Sequence, residues 1–226
     1  MTTYNKKINS DGSYRKYFGW TVISPIINDM KILQNFVEKN NVLKKHFSAL
    51  PSSSYHVTIL GIWSNMTRLL KQQKKYIETR NTPEEKDLFK SLSISQGLFN
   101  PGNCLNKLFS HLTNDCTIFK NKYTKTTPTI KLIVKQVYFG GTIGILFQDT
   151  TFLGEIRDTL VGTSKIEENG MYHLTLAYKY VNTSASDNIM IKKEIDILNM
   201  LLTDQVITLD YPILTSFDSM KSFKPL

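Results

Sequence analysis

Two of the four histidines in this 226-residue chain share a frame. Tyr55-His56-Val57-Thr58-Ile59 and Tyr172-His173-Leu174-Thr175-Leu176 both read Tyr, His, apolar, Thr, apolar. Each alternates with the period of a half-buried strand. Val57 and Ile59 are expected to face a core, with His56, Thr58 and Leu60 on the other side. Leu174 and Leu176 oppose His173 and Thr175 in the same way. Two such strands side by side make a cleft with two imidazoles and two hydroxyls. Imidazole has a reference pKa near 6.5, so it changes charge close to neutral pH. One imidazole can take a proton from a hydroxyl or water while the other gives one to the leaving oxygen. The threonine hydroxyls can donate hydrogen bonds to phosphoryl oxygens. A substrate that brings its own nucleophile, or is already strained, needs no metal. A vicinal ribose hydroxyl and a 2′,3′-cyclic phosphate meet those conditions.

A third His-x-Thr, His111-Leu112-Thr113, has different surroundings. Leu105, Leu108, Phe109 and Leu112 fall at helical spacing. Residues i and i+2 of a helix do not share a face, so this triplet is set aside. His46 is read as an ordinary structural histidine.

The elements that must position the pair can be followed along the chain. Tyr17 to Ile23 is rich in aromatic and β-branched residues and reads as a strand, ended by Ser24-Pro25. An amphipathic helix is expected from about Asn28 to Phe47, carrying Leu33, Phe36, Val37 and Leu43. Pro51 and three serines turn the chain into the first His strand. Residues 64–128 read as a helical elaboration, with a capped start at Thr82-Pro83-Glu84-Glu85. Thr129 to Phe139 and Thr142 to Phe147 form a hairpin about Gly140-Gly141. Asp149 or Thr150 caps a helix with Phe152, Leu153, Ile156 and Leu160 on its apolar face. The second His strand follows. A helix from about Ser186 to Leu202, a strand at Val206 to Leu209, and another over Leu214 to Phe217 complete the chain. Residues 1–16 read as polar and loose.

Strand, helix, His strand thus occurs twice. The repeat predicts an α+β fold over residues 1–226 as a single bilobal domain. Its lobes lie at approximately 17–63 and 129–180, related by a pseudo-twofold axis, with antiparallel sheets lining a central cleft and helices outside.

Composition bounds the function. An apolar fraction of 41% supports a real core. No apolar run reaches the ~18 residues of a membrane span, and Met1 to Gly12 lacks a signal-peptide core. A soluble cytoplasmic protein is expected. Cys104 and Cys116 fit neither a disulfide framework nor a zinc motif. With no metal or nucleotide-loop motif in the chain, no cofactor and no protein-held metal are expected. The formal charge of +9 favours anionic ligands through the long-range field. Its densest clusters, Lys71, Lys74 and Lys75, Lys44-Lys45 and Lys192-Lys193, read as solvated helix faces.

The two motifs, His56-Val57-Thr58 and His173-Leu174-Thr175, resemble the paired His-x-Ser/Thr hallmark of the two-histidine (2H) phosphoesterases, the LigT-like cyclic phosphodiesterases among them. The wider text is similar to a poorly characterised branch found in fungi and microbes. That similarity runs through Asp11-Gly12, Gly19 to Ile23, Leu50 to Thr58, Tyr172 to Tyr178 and the ending Phe217 to Leu226. The resemblance implies a bilobal fold with a central cleft and metal-independent phosphodiester chemistry. Its substrates are RNA 2′,3′-cyclic phosphates, 2′–5′ linked oligoadenylates, ADP-ribose cyclic phosphate or cyclic dinucleotides. Some viral proteins with this arrangement destroy immune second messengers, which would place such a chain in the host cytoplasm. The family's roles carry to His56 and His173 as acid and base, and to Thr58 and Thr175 as phosphate ligands. Which histidine is the base depends on how the substrate lies, and the sequence leaves that open.

The leading expectation is a phosphodiesterase acting on a nucleotide or RNA-end substrate, with 2′,3′-cyclic GMP–AMP as a candidate. The alternatives are a non-catalytic module that binds a nucleotide or an RNA end, and a structural protein in which His56 and His173 lie far apart. Trp63, Tyr138 and Trp20 are candidates for base recognition. Lys179 shares strand parity with His173 and is a candidate phosphate contact.

Overall fold

The computed structural model describes residues 7–64, 83, 114, 116–117, 120–121, 129–161 and 172–225. Most of the expected elaboration over 64–128, with His111, Cys104 and the Lys71–Lys75 cluster, lies outside those residues. The fold is α+β, a curled antiparallel sheet with helices packed against it.

Strand β1 (Gly19–Pro25) is followed by α1 (Lys31–Lys39), β2 (Phe47–Ala49) and β3 (His56–Ser64). After the middle segment come β4 (Ile130–Phe139), β5 (Thr142–Phe147), α2 (Thr151–Val161) and β6 (His173–Lys179). Then follow α3 (Ala185–Leu202), β7 (Val206–Leu209), β8 (Ile213–Ser219) and β9 (Ser222–Pro225). The strand order is β7-β4-β5-β6-β3-β1-β8-β9, with β2 pairing β6 off this path. The central run β5-β6-β3-β1 is symmetric about the β6–β3 pair. On one side β1, α1 and β3 form one unit; on the other, β5, α2 and β6 repeat it. Each helix packs against the His strand of the opposite unit, α1 on β6 and α2 on β3. The helices do so by burying Leu33 and Val37 of α1, and Leu153, Ile156 and Leu160 of α2.

The expected helix over 28–47 stops earlier, at Lys39. The side-chain oxygen of Asn40 accepts the backbone N–H groups of Val42 and Leu43 at 2.9 and 3.0 Å. An asparagine that captures the backbone in this way offers it an alternative to the helical ladder. A single 3₁₀ turn follows at Leu43–Lys45, and Phe47–Ala49 is free to pair with β6. The cap of α2 is one of the two expected residues, whereas α3 starts just ahead of its expected Ser186, on a cap the sequence reading did not name. Asp149 accepts from Thr151 N–H at 2.9 Å, and Ser184 forms a reciprocal capping box with Asp187.

Residues 7–16 are ordered rather than loose. Ile8 bridges Tyr14, and Arg15 N–H donates to the Lys7 carbonyl at 3.0 Å. The turn runs through Asp11-Gly12, where Gly12 takes φ 82°, a conformation that favours glycine. Asp11 accepts the N–H of Ser13 at 2.8 Å, and Ile8 is buried. An Asp-Gly turn between Ile8 and Tyr14 is the short-range signal for this hairpin.

Candidate active site

Each motif histidine sits at the first residue of its strand, and each strand is fixed by the turn that precedes it. Before β3, Pro51 leads into the 3₁₀ turn Ser52–Ser54. Gln34 of α1 accepts the Ser52 N–H at 2.8 Å, and Ser54 donates to the Pro51 carbonyl through both its N–H and its hydroxyl. This leaves the Ser54 carbonyl aimed at the next ring, and His56 Nδ1 lies 2.7 Å from it. A carbonyl can only accept, so Nδ1 carries the proton and Nε2 keeps its lone pair. Before β6, the Tyr172 hydroxyl donates to the Leu153 carbonyl of α2 at 3.1 Å. Tyr55, its counterpart in the first motif, is buried.

Strands β3 and β6 are neighbours, and Val57 pairs with Leu174. Carried one residue each way along an antiparallel pair, that register sets His56 across from Thr175 and Thr58 across from His173. The two imidazoles are then diagonal neighbours, a geometry with roughly 7–8 Å between positions, within reach for two side chains bracketing one phosphate. Val57 and Leu174 are fully buried beneath, whereas Thr58 and His173 are exposed and His56 and Thr175 half-buried. The four candidate residues His56, Thr58, His173 and Thr175 thus come together on one face.

Burial pushes the His56 pKa down to about 4, against a weaker upward pull from the Ser54 hydrogen bond; the positive charge of Lys7 and the nearby His173 lower it further. Part of the ring surface remains open to the cleft, and Phe223 of β9 packs beside it at 4.2 Å between ring centroids. Strand β9 is separated from β3 by β1 and β8, so this contact exists only because the sheet curls. Phe223 also meets Phe217 at 5.5 Å, and Phe217 stacks on Tyr17 at 5.4 Å. Phe217 and Phe223 lie in the ending that carries the resemblance, but nothing in the sequence placed them, or Tyr17, beside His56.

One further cleft residue was hidden by a β-bulge, and two expected ones were removed from the face by bulges. Along β5 and β6, Ile143 pairs with Ala177 but Gly144 pairs with Thr175, so Leu176 is an extra residue. A bulge reverses side-chain parity beyond it. Tyr178, not Lys179, therefore joins the face of His173 and Thr175. Lys179 turns away and donates to Thr183 at 2.7 Å, which corrects its expected role at the phosphate. A similar shift around Ile59 turns Leu60 into the core, 2% exposed, instead of beside His56.

Of the three candidates for base recognition, Tyr138 is at the site, edge-on to His173 at 6.4 Å and an interplanar angle of 78°. Trp20 is buried in the core, and the Trp63 side chain lies outside the described residues. Tyr138 lies over Gly144, where a Cβ would come 2.6 Å from its phenolic oxygen and 2.7 Å from ring carbons. Gly144→Ala is therefore expected to swing Tyr138 off His173. The measurement is the ring-proton NMR shifts of the two histidines: those of His173 should move as the aromatic ring leaves, and those of His56 should hold. Unmoved His173 signals would show that Tyr138 does not depend on Gly144 for its place.

The remaining described histidine, His46, is buried, with Nε2 3.6 Å from Asp187 at the start of α3, away from the pair.

A family model, "2H-phosphodiest: Domain of unknown function (DUF1868)", matches residues 7–87. That stretch contains the N-terminal hairpin and the first His-x-Thr strand, and the fold supplies the second strand beside it. The match falls on the first of the two motifs and covers less than half of the chain. The chain is similar to "Uncharacterized protein 127L" of Invertebrate iridescent virus 6, at 29% identity over 124 residues. The match covers 50% of this chain and 51% of that protein, so the chain spans about half the length of the curated relative it matches. The likeness to the conserved protein of unknown function ATU0111 from Agrobacterium tumefaciens is one of fold, with a TM-score of 0.58 and 15% identity over 98% of this chain and 90% of that one. No helix among the described residues is long and apolar enough to cross a membrane.

Proposed function

We propose that the cleft hydrolyses nucleotide phosphodiesters in which a ribose hydroxyl lies next to the phosphate, without a protein-held metal. The substrate class is a 2′–5′ linked or cyclic nucleotide, with 2′,3′-cyclic GMP–AMP as a candidate, or an RNA end carrying a 2′,3′-cyclic phosphate. The observation that carries this reading is the Val57–Leu174 register, which sets both His-x-Thr pairs in one patch at the β3–β6 seam.

His56 is the base. It is held neutral by burial, and its Nδ1–H is committed to Ser54, so Nε2 is the acceptor. His173, in its protonated form, is the acid. On a 2′–5′ linkage, His56 takes the proton of the free 3′-hydroxyl as that oxygen attacks phosphorus. The bond from phosphorus to the 5′-oxygen breaks, and His173 protonates the departing oxygen. The products are a 2′,3′-cyclic phosphate and a 5′-hydroxyl. On a cyclic phosphate, water replaces the ribose hydroxyl, and one ribose oxygen leaves with the proton from His173. Thr58 and Thr175 donate to the non-bridging oxygens, whose charge grows in the transition state. Tyr138, Phe217 and Phe223 give the cleft aromatic surface for a nucleobase.

The test is turnover in EDTA of four substrates: 2′,3′-cyclic GMP–AMP, its all-3′–5′ isomer, 2′–5′ oligoadenylate, and an RNA oligomer ending in a 2′,3′-cyclic phosphate. Cleavage of at least one, with the all-3′–5′ isomer resistant, is expected. That isomer also has a free neighbouring hydroxyl, so its resistance would mean that the cleft sets the attacking oxygen on the 3′ side. Binding without turnover of any of the four would replace catalysis by a nucleotide-binding role.

A further inference from the structure

The N-terminal hairpin brings one ammonium group to this cleft. Lys7 is half-buried, with Nζ 5.1 Å from the centroid of the Tyr17 ring and 5.3 Å from that of Tyr178. It donates to the Tyr178 hydroxyl at 3.2 Å. Burial lowers its pKa, and its charge is felt at His56. No carboxylate pairs with it among the described residues. Withdrawing a cation from water is costly; the two aromatic faces offset part of that cost, and an anion would offset more.

The hydrogen bonds around Lys7 have a direction. An ammonium can only donate, so the Tyr178 oxygen accepts from it. Burial raises the Tyr178 pKa, so the phenol keeps its proton. Thr175 stands on the same face of β6 as Tyr178, on the other side of the Leu176 bulge. With its oxygen taken up by Lys7, Tyr178 has its proton free for the Thr175 oxygen, a bond that would leave the Thr175 proton to point outward. Chained donors of this kind polarise one another.

We propose that Lys7 is a positioning residue of a phosphate site, orienting the chain Lys7 to Tyr178 to Thr175 so that Thr175 donates to a phosphoryl oxygen, with the ammonium as the balancing charge. This rests on the reading of the cleft as a phosphate site but not on turnover. The role is legible only in the tertiary structure, because Lys7 reaches Tyr178 across the whole chain and the Leu176 bulge turns Tyr178 toward it.

The probe is inorganic phosphate, titrated into the full chain by calorimetry, with Lys7→Met, Lys7→Arg and Tyr178→Phe alongside. Lys7→Met is expected to weaken phosphate binding by about ten- to a hundredfold, the loss of a charge-assisted contact. Tyr178→Phe, which keeps the charge but breaks the chain, should weaken it by about three- to tenfold. Lys7→Arg should restore most of the affinity. The Tm of Lys7→Met should equal or exceed that of the wild type, because an uncompensated buried cation has been replaced by an apolar chain of similar length. Wild-type affinity in Lys7→Met, or a lowered Tm with unchanged affinity, overturns the proposal and leaves Lys7 a structural residue. If Lys7→Met does not fold, unchanged affinity in Tyr178→Phe overturns it. Failure of the catalytic reading looks different: no substrate is cleaved by the wild type, yet phosphate binding still depends on Lys7. Conversely, cleavage that needs both histidines but is indifferent to Lys7→Met removes the relay and keeps the catalysis.

Discussion

His56→Ala and His173→Ala should each lower turnover of a natural phosphodiester by about 10²–10⁴-fold, the usual worth of one general acid or base. The two losses should not add, because both groups act in one transition state. The roles separate on a substrate with an activated leaving group. A ribonucleoside 2′-(4-nitrophenyl phosphate), whose free 3′-hydroxyl is the attacking group, releases a stable phenolate that needs no proton. His173→Ala should recover most of its activity on that substrate, and His56→Ala should not, since the neighbouring hydroxyl must still be deprotonated. The measurement is kcat/KM for both variants on both substrates. Equal recovery in the two variants, or recovery in His56→Ala alone, would reverse or remove the assignment that the Ser54 carbonyl makes.

The second large effect is on stability, and its sign follows from the depressed pKa of His56. In the unfolded chain a histidine takes a proton below about pH 6.5. In the fold, burial delays protonation of His56 until about pH 4. The folded state is therefore favoured in full above about pH 6.5, and that stability is lost as pH falls from there through 4. The loss amounts to at most about 3 kcal/mol, and the part-open ring reduces it. Urea unfolding at pH 7, 5.5 and 4, with His56→Gln beside the wild type, isolates this contribution. The lowered carboxylate pKa values of Asp11, Asp149 and Asp187 are common to both proteins and cancel in the difference. The wild type should lose about 2–3 kcal/mol more than the variant between pH 7 and 4. Parallel curves would show that His56 is not held neutral, and the base role would lose its electrostatic basis. The same depression places the acidic limb of kcat/KM for the wild type well below the usual histidine range, since that profile reports the free enzyme.

Pattern and packing decided different parts of this protein. The period-2 alternation around His56 and His173 marked both strands. The repeated strand–helix–strand order anticipated the symmetric run β5-β6-β3-β1. These features are local: which face of a strand is apolar, and which residue can cap a helix, depend on neighbours in sequence. The helix that ends at Asn40 and the hairpin over residues 7–16 are also local, but they depend on a side chain capturing backbone N–H groups and on one glycine turn. A hydrophobic period read along the chain does not weigh such devices.

Only the tertiary structure decided the rest. Bulges at Leu176 and near Ile59 reversed parity, bringing Tyr178 into the cleft and removing Lys179 and Leu60 from its face. A one-residue insertion in a strand leaves no mark on the hydrophobic pattern until the partner strand is known. The curl of the sheet laid Phe223 on His56 across two intervening strands. The Ser52–Ser54 turn, pinned by Gln34 from α1, turned one backbone carbonyl toward Nδ1 of His56 and so fixed which of its ring nitrogens faces the cleft with a lone pair. The amino-acid sequence by itself determined that two imidazoles and two hydroxyls would line one face. The protonation state of His56, and which charges and rings surround the pair, come from burial and long-range contacts, which only the folded chain can set.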